Sequence, residues 1–483
     1  MRGLYPRKLA VAIRSALVPD RPRNSEQEFA LPPDPLDERD VTPPGASPHQ
    51  VHHVPGAKDV SRNTFEVLAL RGLGTPLAFG LVILQSRFLE PTGRGGYIIA
   101  VLGVSLITRL LGDLGTAATN QIGTDPERSA PWTATVLRTA IGLGVLAALL
   151  LGSSPHLAAL VPSDWLPDVP QRIAILTALA VTPALVTRSL SGILLGAARV
   201  RLWSVIQVLP SGVSLVGFLV LVILLDHGIE GAIAAYVLGH AVTAVVALVT
   251  TYRLWAGWFL RHVPWHEVLR LVRLATAMGL GSFLVLLNYR VELILLQSQE
   301  GDDAAGIYAN AMTVAESLWI ISTAISTAVW APVLHESEER AARLVTRSAG
   351  KSLLLLTGAA AVVALVAPIG VPLVFSDLFE ASVTPLLYLL PGIIVYGPVQ
   401  ILTTYISVRR GRPGYALVGP ILSLGVTVAL AALLIPEHGA TGAAIACTAG
   451  YVVGAAGVWT VFAILVGRWP SVRRPRASMS RGV

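Results

Sequence analysis

Charge is scarce in this 483-residue chain: Asp, Glu, Lys and Arg make up 13% of it, against about 25% in an average soluble protein. That deficit excludes a soluble enzyme of this size. Cysteine is almost absent. The single Cys447 lies in an apolar stretch, which excludes a disulfide framework and a cysteine metal site. Long loops between apolar runs are missing as well; the longest, about 153–169, has no room for a folded domain. Enzyme signatures are equally thin. His52-His53 has no metal shell around it, and Gly93-Arg-Gly-Gly96 follows no strand and precedes no Lys-Ser/Thr, so it is not a P-loop. No triad spacing is present. The expectation is a transporter rather than an enzyme, with no cofactor and no metal.

What the chain has is apolar length. Hydrophobic residues make up 53% and the mean hydropathy is +0.66. Runs that suffice to cross a bilayer, which takes about 20 residues, recur along the chain. Twelve candidate spans fall at roughly 64–87, 96–119, 131–152, 170–196, 202–225, 229–255, 268–297, 304–331, 346–373, 379–407, 413–435 and 440–466. Turn sequences separate them: Glu90-Pro-Thr-Gly93, Asp125-Pro126, Asp226-His-Gly228, Gly301-Asp-Asp303 and Arg412-Pro-Gly414. Prolines inside the runs, such as Pro76, Pro183, Pro210, Pro368, Pro391, Pro398 and Pro420, suggest kinks.

The net charge of +7 would point to nucleic acid in a soluble protein. Here it follows from cytoplasmic loops that collect Lys and Arg. With the N-terminus inside, the inner segments hold Arg128, Arg199, Arg201, Arg253, Arg261, Arg340, Arg343, Arg347, Arg409, Arg410, Arg412 and the tail from Arg468 to Arg481. The outer loops hold few basic residues, Arg94 with Arg87 and Arg172, and carry the acids Asp164, Asp168, Asp226, Glu230, Glu300, Asp302, Asp303, Asp377 and Glu437. The alternation persists through all twelve spans, so both termini are expected in the cytoplasm and no nucleic-acid partner is expected. Residues 1–62 are rich in Pro and charge and read as a disordered tail. Within it, residues 4–18 interleave Arg7, Lys8 and Arg14 with apolar residues, as an amphipathic helix on an anionic membrane would. Residues 468–483 form a basic cytoplasmic tail.

The chain also repeats itself at one offset. Tyr97 recurs as Tyr308, Arg199 and Arg201 as Arg410 and Arg412, and the Asp226–Ala232 turn as Glu437–Ala443, each 211 residues on (308 − 97, 410 − 199 and 437 − 226). This predicts an all-α membrane protein of two six-helix lobes, 63–260 and 261–467, related by a pseudo-two-fold axis along the membrane normal. A substrate site is expected where such repeats meet.

Ionisable residues at membrane depth cost several kcal/mol and face cavities or partners. The first lobe carries Arg71, Arg109, Asp113, Arg138 and Arg188, and the second Arg290, Glu292 and Glu316, with Asn288 and Asn310. Span direction places the four first-lobe arginines in the cytoplasmic half. Facing one cavity, they would suit an anion, since arginine matches phosphate oxygens bidentately. Two plainer readings stand beside this. Arg109 and Asp113 are spaced i, i+4 and can pair on one helix face; Arg71 and Arg138 are near enough to the interface to snorkel. Arg290 and Glu292 point about 200° apart and are poor partners for each other. Asp113, Glu292 and Glu316 are candidates for coupling to protons or sodium, with Arg290 beside them; structural hydrogen bonds would explain the acids equally well. The repeat is broken at these charges: Arg109 aligns with Ile320 and Arg188 with Val399.

Residues Arg87-Phe-Leu-Glu-Pro-Thr-Gly-Arg-Gly-Gly-Tyr97 are similar to the Arg-x-Leu-Gly-Pro…Gly-x-Tyr motif of the polysaccharide (Wzx-type) flippases, a family of the multidrug/oligosaccharidyl-lipid/polysaccharide (MOP) exporter superfamily. Asn288-Tyr-Arg-Val-Glu-Leu-Ile-Leu-Leu296, Gly306-Ile-Tyr-Ala-Asn-Ala311 and Ala328-Val-Trp-Ala-Pro332 resemble that family's second-lobe motifs, and the resemblance spans about residues 64–467. Glu90 stands where the family has Gly, and Tyr289 where Asp is common. The resemblance implies a flippase in the bacterial cell membrane that moves a lipid-linked oligosaccharide on undecaprenyl pyrophosphate for polysaccharide export. Its partners would be membrane lipids and glycan-assembly enzymes. A lipid II flippase, usually two helices longer, and a drug/cation antiporter with an acidic cavity are the alternatives; a membrane-embedded glycosyltransferase would need acidic residues in a large outer loop.

Overall fold

A computed structural model of the chain describes residues 57–124, 129–154, 169–197, 199–261 and 263–467; of the side chains of 57–73, 75 and 120–124 nothing is described. Residues 1–56 and 468–483, the amphipathic stretch 4–18 and the Asp125-Pro126 turn fall outside the described residues; residues 57–62, expected to belong to the disordered tail, instead begin the first helix at Ala57. Among the described residues every regular element is a helix, and ten helical runs are long and apolar enough to cross a membrane. Two of these, Pro76–Thr119 and Pro413–Val466, are two spans each, and Val291–His335 combines the end of one span with the next. The spans, labelled α1 to α12, are 57–89, 91–124, Ser129–Gly152, Gln171–Gly196, Val200–Leu224, Gly228–Trp255, 265–300, 302–335, Glu338–Phe375, Asp377–Arg409, 413–438 and 440–466.

The turns are tighter than the sequence predicts. Where four residues from Glu90 to Gly93 were expected to form a loop, Glu90 alone leaves helical geometry, at φ 59° and ψ 176°. Pro91 supplies the reason: it disfavours helix in the residue before it and suits the first position of the next helix. The chain folds back there, since Arg94 reaches Gln85, nine residues behind it, which a straight helix would hold about 14 Å apart along its axis. Gly301 turns α7 into α8 in the same way, at φ 83°, and a single glycine at 439 separates α11 from α12.

The 211-residue offset persists in three dimensions. Glu90 and Gly301 turn the chain at equivalent positions (301 − 90), and so do Gly228 and Gly439 (439 − 228), all four at positive φ. The lobes meet at the first pair of turns. A Cβ on Gly95 would lie 1.8 Å from the Asp302 carbonyl oxygen, and one on Gly306 1.9 Å from that of Pro91. Both contacts are the same contact seen from either lobe (306 − 95 = 302 − 91 = 211), so the pseudo-two-fold axis passes between Gly95 and Gly306. Only residues without side chains allow backbones to approach so closely.

The lobes differ inside. Among the described residues, the second has one continuous buried core running from Val291 to Phe462, which Ile99 of the first lobe joins. The first is split into three clusters, around Leu137 and Leu185, around Tyr97 and Phe218, and around Val104 and Val181. A cavity occupies the space between them. Leucines and isoleucines on the outer faces, such as Leu149, Leu354 and Ile369, are exposed, as lipid-facing side chains are.

Candidate transport site

The charged core of the first lobe begins at a helix break. A two-residue turn at Gly112 and Asp113 separates helices Ala57–Leu111 and Leu114–Thr124, although Gly112 N–H still donates to the Thr108 carbonyl at 2.9 Å and the Asp113 carbonyl accepts from Ala117 N–H at 2.8 Å. Two glycines let α4 close onto this break: a Cβ on Gly112 would meet the Arg188 Cδ at 2.2 Å, and one on Gly115 the Ser189 carbonyl oxygen at 1.8 Å. Arg188 therefore lies across α2 and donates to Asp113 Oδ1 at 3.0 Å. No i, i+4 ion pair joins Arg109 to Asp113; the Asp113 carboxylate is engaged by Arg188 instead. Ser282 of α7 donates to the other carboxylate oxygen at 3.4 Å, so Asp113 joins α2, α4 and the second lobe.

Arg109 and Arg188 line one cavity of about 460 Å³, together with Thr187, Ser191, Gln207, Ser211 and His240. Arg109 ends its helix and has no hydrogen-bond or ion-pair partner among the described residues. Arg188 Nε is buried and likewise has no hydrogen-bond partner. The cavity thus presents N–H donors and hydroxyls, and its lining includes no carboxylate among the described residues. His240 was not singled out from sequence, although it is an ionisable residue in the middle of a span. Its ring packs edge-on against Tyr236 at 4.5 Å, and Tyr236 against Tyr97 at 6.5 Å.

The four arginines do not share this cavity. Arg138 lines a separate crevice of about 720 Å³ at the junction of α3 with the linker to α7 and donates to the Arg261 carbonyl at 2.6 Å. Arg71 lies in α1, and its side chain is outside the described residues. Conversely, Arg94, an outer-loop residue by its place in the sequence, is only 2% exposed. The short turn at Glu90 starts α2 at once, and the Gly95–Gly306 approach draws Arg94 into the seam. There it donates to Gln85 and, at 3.5 Å, to Asn310 Oδ1, which also accepts from Ser86 at 3.0 Å. Arg87 completes the closure of this seam by donating to the Val374 and Leu373 carbonyls at 2.9 and 2.6 Å.

The acids of the second lobe sit apart from the first-lobe cavity. α7 breaks at Tyr289 and Arg290, and the Arg290 fork binds Glu316 of α8 at 2.6 and 2.9 Å. Arg290 and Glu292 do not pair, as their spacing predicts. Glu292 is fully buried; its Oε1 accepts from the Tyr308 hydroxyl at 3.4 Å, and its Oε2 has no hydrogen-bond partner. Both amide atoms of Asn288 and the Tyr451 hydroxyl are also buried and unpartnered. Tyr289, where the family has Asp, instead joins an aromatic cluster: Tyr396 stacks on Tyr451 at 4.7 Å, and Trp319 lies 5.2 Å from Tyr289.

Twelve spans among the described residues, in two helical lobes with two arginines on one cavity, have the architecture of a membrane transporter. The chain belongs to the polysaccharide biosynthesis protein family, whose profile matches residues 60–338, more than half of its length. Its fold is that of the MOP superfamily. It is similar to the lipid II flippase MurJ in an inward closed conformation, with a TM-score of 0.70 and 11% identity over 82% of this chain and 87% of that one. It is also similar to an inward-facing multidrug resistance MATE transporter, at 0.64 and 17% over 81% and 94%. A third likeness is to a MOP transporter from Pyrococcus furiosus described by the reverse polarity of its binding pocket, at 0.56 and 18% over 86% and 96%. At such identities the likeness speaks for the fold alone. No protein of curated function matches the sequence.

Proposed function

We propose that the protein is an alternating-access flippase that carries a lipid-linked oligosaccharide, on an undecaprenyl-pyrophosphate carrier, from the cytoplasmic to the outer leaflet of the bacterial cell membrane. The observation that carries this reading is the pair Arg109 and Arg188 on one polar cavity, with no ion-pair partner for Arg109 among the described residues. Guanidinium forks match pyrophosphate oxygens and keep their charge at membrane depth. Asp113 holds Arg188 until the anion arrives, and the anion then competes for the same N–H groups.

Both termini lie in the cytoplasm in this reading, so the Gly95–Gly306 seam faces outward and is shut. The lobes 63–260 and 261–467 rock about the axis, the seam parts, and the head group leaves to the outside. Glu292, buried and half-partnered, and the Arg290–Glu316 pair are the groups through which protons or sodium would drive the cycle, with Asp113 as the link to the first lobe. An antiporter of drug cations fits the cavity poorly, since two arginines repel a cationic ligand.

The test is glycan export by cells carrying Arg109→Ala or Arg188→Ala at normal protein levels. Loss of export with intact peptidoglycan synthesis is expected. Normal export would refute the anion site, and loss of peptidoglycan synthesis alone would move the substrate to lipid II.

A further inference from the structure

The crevice that holds Arg138 has no part in the transport cavity, and its chemistry is distinct. One wall is the face of α3 carrying Thr135, Arg138, Gly142 and Leu146; the other is the linker with Leu260 and Arg261 and the start of α7 at Trp265 and Leu269. It is therefore apolar along its length and cationic at one place. Arg138 spends one N–H on the Arg261 carbonyl at 2.6 Å, and its remaining N–H groups have no partner among the described residues. The Arg261 guanidinium lies 4.4 Å from the centre of the Trp258 ring and has no acid beside it among the described residues. Leu260 and Trp265 are 93% and 73% exposed, so no other part of the described chain covers the crevice. Tryptophans collect at the level of lipid head groups, and Trp258 and Trp265 put the linker there.

The geometry points to a binding site for an anionic glycerophospholipid of the leaflet on the linker side of the bundle. Its phosphate sits on Arg138 and Arg261, and an acyl chain runs along Gly142, Leu143 and Leu146. Charge complementarity selects the anionic lipid: juxtamembrane basic residues attract anionic head groups, whereas a choline head group would set its own cation against the two guanidinium groups. The bare α3 backbone at Gly142 is part of the fit, since a Cβ there would meet nothing within 4 Å. Because the walls come from α3 on one side and from the linker and α7 on the other, the lipid lies across the joint between the lobes. The site stands independently of the proposed substrate.

Native mass spectrometry of the purified full-length protein tests this, with phosphatidylglycerol and phosphatidylcholine of equal acyl length as probes. Wild type should retain phosphatidylglycerol about tenfold better than phosphatidylcholine. Arg138→Gln/Arg261→Gln should abolish that preference, and Gly142→Leu, which fills the crevice and leaves both charges, should lower retention of phosphatidylglycerol. Arg347→Gln/Arg412→Gln, on exposed arginines elsewhere, should change neither. Loss of preference in this control equal to that in Arg138→Gln/Arg261→Gln, or full retention in Gly142→Leu, would overturn the site in favour of diffuse charge attraction. Displacement of the bound phosphatidylglycerol by equimolar undecaprenyl phosphate would overturn it in favour of an entry groove for the carrier.

Discussion

Gly95 and Gly306 face one another across the pseudo-two-fold axis, each lying against the backbone of the opposite lobe, so that a Cβ on either would fall within 2 Å of a carbonyl oxygen. The seam is closed by the absence of two side chains. Gly306→Ala should force it apart. With spin labels at Phe88→Cys and Leu378→Cys, both exposed near the seam, the distance distribution should shift to longer values than in the labelled parent. An unchanged distribution would mean that the seam absorbs the methyl group by local adjustment.

Glu90 occupies backbone geometry that glycine adopts freely and other residues adopt at a cost of about 1–3 kcal/mol. Its repeat partner, Gly301, has the residue the geometry asks for. Glu90→Gly should therefore raise the thermal unfolding midpoint of the purified protein by a few degrees, even after the entropic penalty of about 0.5–1 kcal/mol for an added glycine. A lower midpoint would assign Glu90 a stabilising contact that outweighs its strain.

Arg290 and Glu316 form a two-pronged ion pair, the side chains only 26% and 20% exposed. Glu316→Gln leaves the guanidinium charge without its carboxylate and should destabilise the protein by roughly 2 kcal/mol. Arg290→Gln/Glu316→Gln should recover part of that loss. Thermal unfolding of the two single variants and the double variant closes the cycle; additive losses would show that the pair is not coupled.

Asp113 competes with the proposed anion for Arg188. Asp113→Asn should loosen that hold and raise affinity for inorganic pyrophosphate by several-fold, measured by calorimetric titration in detergent. Reduced affinity would instead give Asp113 the task of positioning Arg188.

Much of this architecture was legible in the sequence. The 211-residue offset locates the turns at Glu90 and Gly301 and at Gly228 and Gly439, because turn chemistry is local. The direction in which a charged side chain points within a span was not. Leu137, Ala140 and Gly144 are buried while Arg138, Gly142 and Leu146 line the outer crevice, but both faces of this helix are apolar enough that periodicity does not tell core from lipid. Its place in the cytoplasmic half of a span therefore groups Arg138 with Arg109 and Arg188, with which it shares no cavity. Arg188 reaches Asp113 across Gly112, where a Cβ would block its path, and spacing along one helix cannot anticipate a partner from another. Arg94 looks like a loop residue in the sequence because the length of the turn, rather than its presence, decides whether it is buried. His240 was visible as a lone ionisable residue in an apolar span; its place on the cavity depends on packing from α2, α4 and α5.

The central claim is that Arg109 and Arg188 bind the pyrophosphate of the carrier. Equilibrium binding of undecaprenyl pyrophosphate to the purified protein, compared among wild type, Arg109→Gln/Arg188→Gln and Arg138→Gln, tests it most directly. The account expects the dissociation constant to rise at least about tenfold in Arg109→Gln/Arg188→Gln, equivalent to roughly 1.4 kcal/mol, and to stay at the wild-type value in Arg138→Gln. Equal affinity in wild type and Arg109→Gln/Arg188→Gln would contradict it.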